Sequence, residues 1–322
     1  MAETFPRHLL IPFAGRGSPA CRAALPTLRL PNLETLLLRL TLADTDTQDE
    51  STRSPPHERA LARELGITAD DGCIPWAALE ARRLGIAAAS DTEGWGVVTL
   101  CNWQVGIDDV VLGDPSVIEI DAGESATLLE AARPFFEEDG IALHPSPVPG
   151  RWLARARIFD GLATASIDRA VGWPISQWSP LAEAARPLRR LQNEMQMLLY
   201  TQRVNDDRAA RGVPPINSFW LSGTGALAAQ PLPSAACETT VCEALRVAAI
   251  RDDGVGWAAA WQALDAGDIA SLLADYTRGA DVSLTLCGDR AAQRYTVQQR
   301  GLSRWARSLF DRKRAAEVLE SL

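Results

Sequence analysis

The sequence predicts an α/β protein of one or two domains, and three observations carry that expectation. The chain has 322 residues, enough for one large core or two ordinary ones. Hydrophobic residues make up 47% and charged residues 23%, the balance of a chain that folds around apolar cores. Short apolar or alternating runs of strand type recur between stretches whose apolar residues fall at helical spacing.

Residues 8–14 (HLLIPFA) read as a first strand, ending in the loop Gly15-Arg16-Gly17. Residues 33–40 read as a helix, with Asn32 placed to cap it through its side-chain oxygen. Residues 43–57 (ADTDTQDESTRSPPH) are mostly polar and carry Pro55-Pro56, which predicts a flexible surface loop. Helices are expected over 57–65 and 76–84, stopped by Gly66 and Gly85. Strands are expected over 95–101 and 117–121, and a helix over 124–138. From Trp152 to Ile158 the apolar residues alternate at period two, a further strand. Pro187 opens a helix to about 202, with Leu188, Leu191, Met195, Leu198 and Leu199 on one face. A short helix over 206–210, capped by Asn205, precedes a strand over 216–222 and a Gly223-Thr224-Gly225 turn. Residues 282–287 form another alternating strand, closed by Gly288-Asp289. The last segment, 301–322, reads as an amphipathic helix with Leu302, Trp305, Leu309 and Phe310 on one face and Arg304, Arg307, Arg312, Lys313 and Arg314 on the rest.

The formal net charge is −9, the opposite of the basic field that phosphate neutralisation demands of nucleic-acid binders. A nucleic-acid partner is therefore not expected. No run approaches the roughly 20 apolar residues of a membrane span, and the first apolar stretch is too short for a signal-peptide core. A cytoplasmic protein is expected, with its six scattered cysteines reduced and buried. The ten Trp serve either cores or ligand surfaces.

Three histidines, His8, His57 and His144, stand far apart in sequence, and none pairs at metal-ligand spacing. No nucleophile elbow, Walker loop or dinucleotide fingerprint is present. Asp108-Asp109, Asp206-Asp207 and Asp252-Asp253 read as loop or cap residues, and no acid/base pair is identified by spacing.

The segment 202–225 (QRVNDDRAARGVPPINSFWLSGTG) resembles a stretch of the archaeal-type cofactor-independent phosphoglycerate mutases. Val204, Asn205, Arg208, Pro215, Asn217, Trp220, Gly223 and Gly225 carry the similarity. Leu100-Cys101-Asn102 followed by the helix after Asp121, and Pro31-Asn32-Leu33 near the start, are similar to further family segments. Trp173, Trp178 and Trp220 lie in the part of the chain that carries this resemblance, which makes them the better placed for a site. The run 191–200, continued by 217–223 and Leu284–Gly288, also resembles the RpfE-type regulatory proteins. The mutase resemblance implies an alkaline-phosphatase-like central sheet flanked by helices, with an inserted smaller α+β lobe. On this chain that places a core domain over 1–90 and 181–322 and the lobe over 91–180.

The same resemblance implies a two-metal phosphoryl-transfer centre, but the chain departs from it at the ligands. The family's Asp-Gly after the first strand is replaced by Ile11–Gly15, and no His follows His144. The nearest echoes are Asp265-Ala-Gly-Asp268 and Asp289-Arg290, with Arg290 standing where a His would. Arg supplies a fixed positive charge and not a metal ligand. The resemblance therefore implies a cytoplasmic binding or regulatory protein that has lost its di-metal centre, with no cofactor. Its partner would be a protein or a small phosphorylated ligand. The alternative is an active mutase- or phosphatase-like enzyme, which needs divalent metal. Ligand-binding candidates are Asn102, Arg151, Asn205, Arg208, Asn217, Trp220, Gly223, Gly225, Asp289 and Arg290, and no catalytic residue is assigned.

Overall fold

The structure is a computed structural model describing residues 7–180, 183–229, 238–297 and 314–322. The chain divides into two compact units, one built from Met1–Ser51, Pro55–Ile67 and Pro233–Leu322, the other from Thr52–Ser54 and Thr68–Leu232. The first opens with β1 (Arg7–Ile11), α1 (Pro19–Ala24), α2 (Pro31–Arg39), β2 (Thr41–Thr47) and α3 (Pro56–Glu64). The second begins with α4 (Trp76–Arg83), β3 (Trp95–Cys101), the paired strands β4 (Trp103–Val105) and β5 (Val110–Leu112), and α5 (Ala122–Glu138). It continues through β6 (Ala142–Pro145), β7 (Arg151–Arg155), α6 (Ile167–Ala170), α7 (Ile175–Trp178), α8 (Arg186–Tyr200), α9 (Arg203–Ala210) and β8 (Ser218–Gly225). The chain returns to the first unit as β9 (Glu238–Val241), α10 (Arg246–Ile250), α11 (Gly254–Leu264), α12 (Ala270–Thr277), β10 (Val282–Cys287), β11 (Ala291–Thr296) and α13 (Ala315–Glu320).

In the first unit the sheet order is β2-β11-β10-β1-β9. β10, β1 and β9 run parallel, and β11 and β2 extend the sheet antiparallel, so the sheet is mixed. β1 lies between two strands and is buried on both faces, which is why it reads as a short apolar run and not an alternating one. Leu9 and Ile11 face Leu284 and Leu286 in register and join the main core with α2, α11 and α12. Trp257 and Trp261 of α11 are fully buried there, ring edge to ring face at 6.2 Å. The opposite face carries His8, Leu10, Cys287 and Ala292, with Ala60 of α3 packed on the apolar part.

The second unit holds the antiparallel sheet β6-β7-β3-β8. Trp95, Val97 and Leu153 pack on the small residues Ala77, Ala78 and Ala81 of α4. Alanines on that helix face let it approach the sheet closely. On the other face Phe219 of β8 meets Phe136 of α5, ring centroids 5.5 Å apart. α5 starts at a capping box in which Asp121 accepts from the Glu124 N–H and Glu124 accepts from the Asp121 N–H.

Several expectations are corrected. Residues 43–57 are not one loop, because β2 occupies 41–47. Its residues are polar because an exposed edge strand has little to bury, and Asp44 and Asp46 pair with Arg63 and Arg59 of α3. Residues 117–121 are not a strand but the end of a 3-10 turn and the cap of α5. Gly223–Gly225 is not a turn after the strand but the last part of β8. Neither Asn32 nor Asn205 caps a helix, since both lie inside one, behind Leu30 and Gln202. The cap of α2 comes from elsewhere: the buried carboxylate of Asp265 accepts from the N–H groups of Leu33 (2.8 Å) and Asn32 (3.2 Å). Of the helix read over 301–322, residues 301–313, with most of its basic side chains, lie outside the described residues.

Replacing Asp265 by Ala leaves the buried Leu33 N–H and the half-buried Asn32 N–H at the start of α2 without their acceptor. The expected loss is about 1–3 kcal/mol in urea unfolding, and an unchanged midpoint would contradict the cap.

Candidate functional site

Eight of the ten candidate ligand residues fall in the second unit, and there they hold the chain to itself. Asn205 donates to the carbonyls of Leu199 and Ile216, both at 2.7 Å, and accepts from the Ile216 N–H. Its amide therefore ties the end of α8 to the entry of β8. Asn217 accepts from the Trp103 N–H (2.7 Å) and donates to the Trp103 carbonyl (2.9 Å), copying a strand pairing with its side chain. Asn102 donates to the Pro215 carbonyl at 2.8 Å.

Arg208 is fully buried. Its guanidinium donates to the carbonyls of Pro214 and Ile118 and to the carboxylate of Glu124 (2.7 Å), which Arg211 also contacts. A fixed, planar fork of donors suits this three-way bridge, and Lys would not reproduce it. Arg151 pairs with Glu80 at 2.8 Å. The Trp220 indole is buried and donates to the Ala165 carbonyl. Gly223 and Gly225 have φ of +61° and +145°, and a Cβ on either would crowd Trp76 or the Cys73 carbonyl. The motif residues thus specify a chain path. Trp178 is buried in this unit and Trp173 is exposed.

Asp289 and Arg290 lie in the first unit, just past the carboxyl end of β10. In open α/β sheets that is the end at which ligands bind. Asp289 accepts from the Arg16 guanidinium with one oxygen and from the Gly17 N–H (2.7 Å) with the other. Arg16 also lies over the ring of Phe13, 5.7 Å from its centroid, and the other ring neighbour is His57 at 5.2 Å. Phe13 has a φ of +57°, a left-handed conformation costly for a bulky side chain. Its surroundings hold it there. The indole N–H groups of Trp257 and Trp261 donate to the Phe13 and Ala14 carbonyls at 3.0 and 3.2 Å, and the Ala14 N–H donates to the Cys287 carbonyl at 2.7 Å. The guanidinium of Arg290 is exposed and has no ion-pair partner among the described residues. Arg16 and Phe13 were not candidates from sequence; an arginine between two glycines directly after the first strand was the available signal.

The space beside these loops is taken by the chain itself. A Cβ on Gly15 would collide with the Leu319 carbonyl, and one on Gly288 would lie 2.5 Å from Leu322. The Leu322 carbonyl accepts from the N–H groups of Arg290 (3.0 Å) and Ala291 (2.7 Å). Glycines at the strand ends here admit α13 and its last turn.

The acidic residues that echo the family's ligands are engaged by other partners in the described part of the structure. Both oxygens of Asp289 are engaged by donors, Asp265 is buried as a helix cap, and Asp268 stands beside the Cys242 thiol, 3.8 Å away. Among the described residues, no three His, Cys, Asp or Glu side chains come together as metal ligands. Burial pushes the thiols of Cys21, Cys73, Cys101, Cys242 and Cys287 up, so they stay protonated at neutral pH. Cys237 lies outside the described residues. His144 is held below its ordinary value, first by burial and then by Arg133 and Arg155.

No protein-family model and no curated protein sequence matches the chain. Among solved structures it is similar to a cofactor-independent phosphoglycerate mutase from Thermoplasma acidophilum, at 14% identity and a TM-score of 0.39 over 97% of this chain and 94% of that one. It is also similar to the PH0037 protein of Pyrococcus horikoshii, at 12% identity and a TM-score of 0.43 over 91% and 87%. No helix among the described residues is long and apolar enough to cross a membrane.

Arg208→Met leaves the Pro214 and Ile118 carbonyls without their donor and Glu124 with Arg211 as its remaining cationic partner, and the expected cost is about 3–5 kcal/mol in denaturant unfolding. Adding Glu124→Gln should restore part of that loss. Equal costs for the single and the double variant would contradict the bridge.

Proposed function

We propose that the chain is a regulatory protein that binds a small phosphorylated ligand or a protein partner and does not transfer phosphoryl groups. The reading joins the sequence resemblance to phosphoglycerate mutases and RpfE-type proteins with one observation, the Asp289 carboxylate held by Arg16 and the Gly17 N–H. A carboxylate that binds a divalent cation has to present free lone pairs to it. Here a guanidinium from the preceding loop supplies the positive charge instead. Phosphoryl transfer through two cations needs several such carboxylates and imidazoles around one point. The pair Asp289–Arg16, with Asp265 and Asp268 committed elsewhere, offers no such set.

Arg290 is the side chain best placed to meet a ligand anion, since it is exposed at the strand ends. The proposed location is the cytoplasm.

Phosphorus NMR of the purified protein with 2-phosphoglycerate and the diamagnetic ions Mg²⁺ or Zn²⁺ tests the reading. The expected spectrum is unchanged over hours, with neither 3-phosphoglycerate nor free phosphate appearing. Turnover abolished by Asp289→Asn would overturn it and establish the enzyme alternative. Under the reading, Asp289→Ala instead lowers stability, by roughly 1–3 kcal/mol in urea unfolding, because Arg16 and the Gly17 N–H lose their acceptor.

A further inference from the structure

The sheet face under α3 is unusually polar for the middle of a domain. His8 sits at its centre, on β1, with its side chain fully buried. Nδ1 lies 3.2 Å from the Thr239 hydroxyl on β9, and Nε2 lies 2.8 Å from the Thr285 hydroxyl on β10. Glu64, the last residue of α3, brings a carboxylate oxygen to 3.6 Å from Nδ1. Its other oxygen pairs at 2.8 Å with Arg294 of β11. The groups facing the imidazole are therefore two hydroxyls, one carboxylate and one guanidinium, from four elements.

α3 is held to this face by few apolar contacts. Ala60, with Leu61 at the margin, meets Leu10, Cys287 and Ala292. Pro56, Ala62 and the His57 ring against Phe13 complete the uncharged contacts, and three ion pairs are added: Arg59 to Asp46 at 2.9 Å, Arg63 to Asp44 at 2.7 Å, and Glu64 to Arg294 at 2.8 Å. A helix docked by ion pairs over a small apolar patch responds strongly to a charge placed beneath it.

We propose that His8 is a proton-controlled latch: it keeps α3 docked on the sheet while the imidazole is neutral and releases the helix when the imidazole takes a proton. A neutral ring has one donor and one acceptor nitrogen, and the two hydroxyls can match both. A protonated ring makes both nitrogens donors. Thr239 and Thr285 must then both accept, and the hydroxyl that had donated to the ring needs a new acceptor for its proton. The new charge also competes with Arg294 for Glu64, and Arg294 repels it.

Burial first, and Arg294 second, lower the pKa of His8 from 6.5 to about 4. A lowered histidine pKa means that the open state takes up the proton first. The docked state is thus fully favoured above about pH 6.5 and loses its advantage as pH falls towards 4. Linkage makes that loss about tenfold per pH unit in the opening equilibrium, and roughly 300-fold over the whole window.

Amide hydrogen exchange of the intact protein between pH 7 and pH 4.5, corrected for the intrinsic rate, tests the latch. The expected result is that amides of α3 open about tenfold more per pH unit relative to those of β10, and that His8→Gln abolishes this slope. A flat ratio in the native protein, or the same slope in His8→Gln, overturns the proposal. If His8→Gln does not fold, proton NMR of the three histidines decides. His8 should then titrate well below 6.5, and Arg294→Gln should raise its midpoint. An ordinary midpoint, or one indifferent to Arg294, overturns it.

Discussion

At the end of β10 a carboxylate meets an arginine and a backbone N–H, and the use of the first unit's sheet depends on that contact. Asp289 draws Arg16 back from the loop after β1, so the carboxyl ends of two adjacent parallel strands are cross-linked by charge. The turn at Phe13 is held in a left-handed conformation by indole N–H groups from α11, and the same arginine covers its ring. α13 and Leu322 then fill the room that Gly15 and Gly288 leave. Each step spends a group that a ligand site at this end of an α/β sheet would have kept free.

The second unit shows the same economy in a different place. Asn102, Asn205, Arg208 and Asn217 are polar residues at fixed spacing, which is how binding motifs appear in sequence. In the fold Asn102, Asn205 and Arg208 satisfy carbonyls of Pro215, Ile216 and Pro214 in the irregular stretch between α9 and β8, and Asn217 pairs from that stretch with the backbone of Trp103. Buried Arg208, with two carbonyls and one carboxylate as partners, ties together three separate points of the chain path. The pattern is a statement about structure first.

Much of the fold was legible in the residues themselves. β1, β3, β10 and α8 announce themselves by apolar runs or helical spacing, because burial on two faces or on one stripe leaves that trace. β2 left no such trace: an exposed edge strand paired through its backbone reads as a polar loop. The cap of α2 was also hidden, since Asp265 arrives from more than 230 positions away. Of the candidate site, Asp289 and Arg290 were singled out by the resemblance to the mutase family, as the echo of its late Gly-Asp-His segment. Arg16 was not, because nothing local says that a loop arginine will turn towards a distant carboxylate.

The most direct test is the divalent metal content of the purified protein, by elemental mass spectrometry after dialysis against Mn²⁺ and Zn²⁺ and then against buffer. With Asp289 neutralised by Arg16, no ion is retained. Two ions per chain, lost in Asp289→Asn, would mean that the carboxylate serves a metal after all, and the account of the strand ends would fall with it.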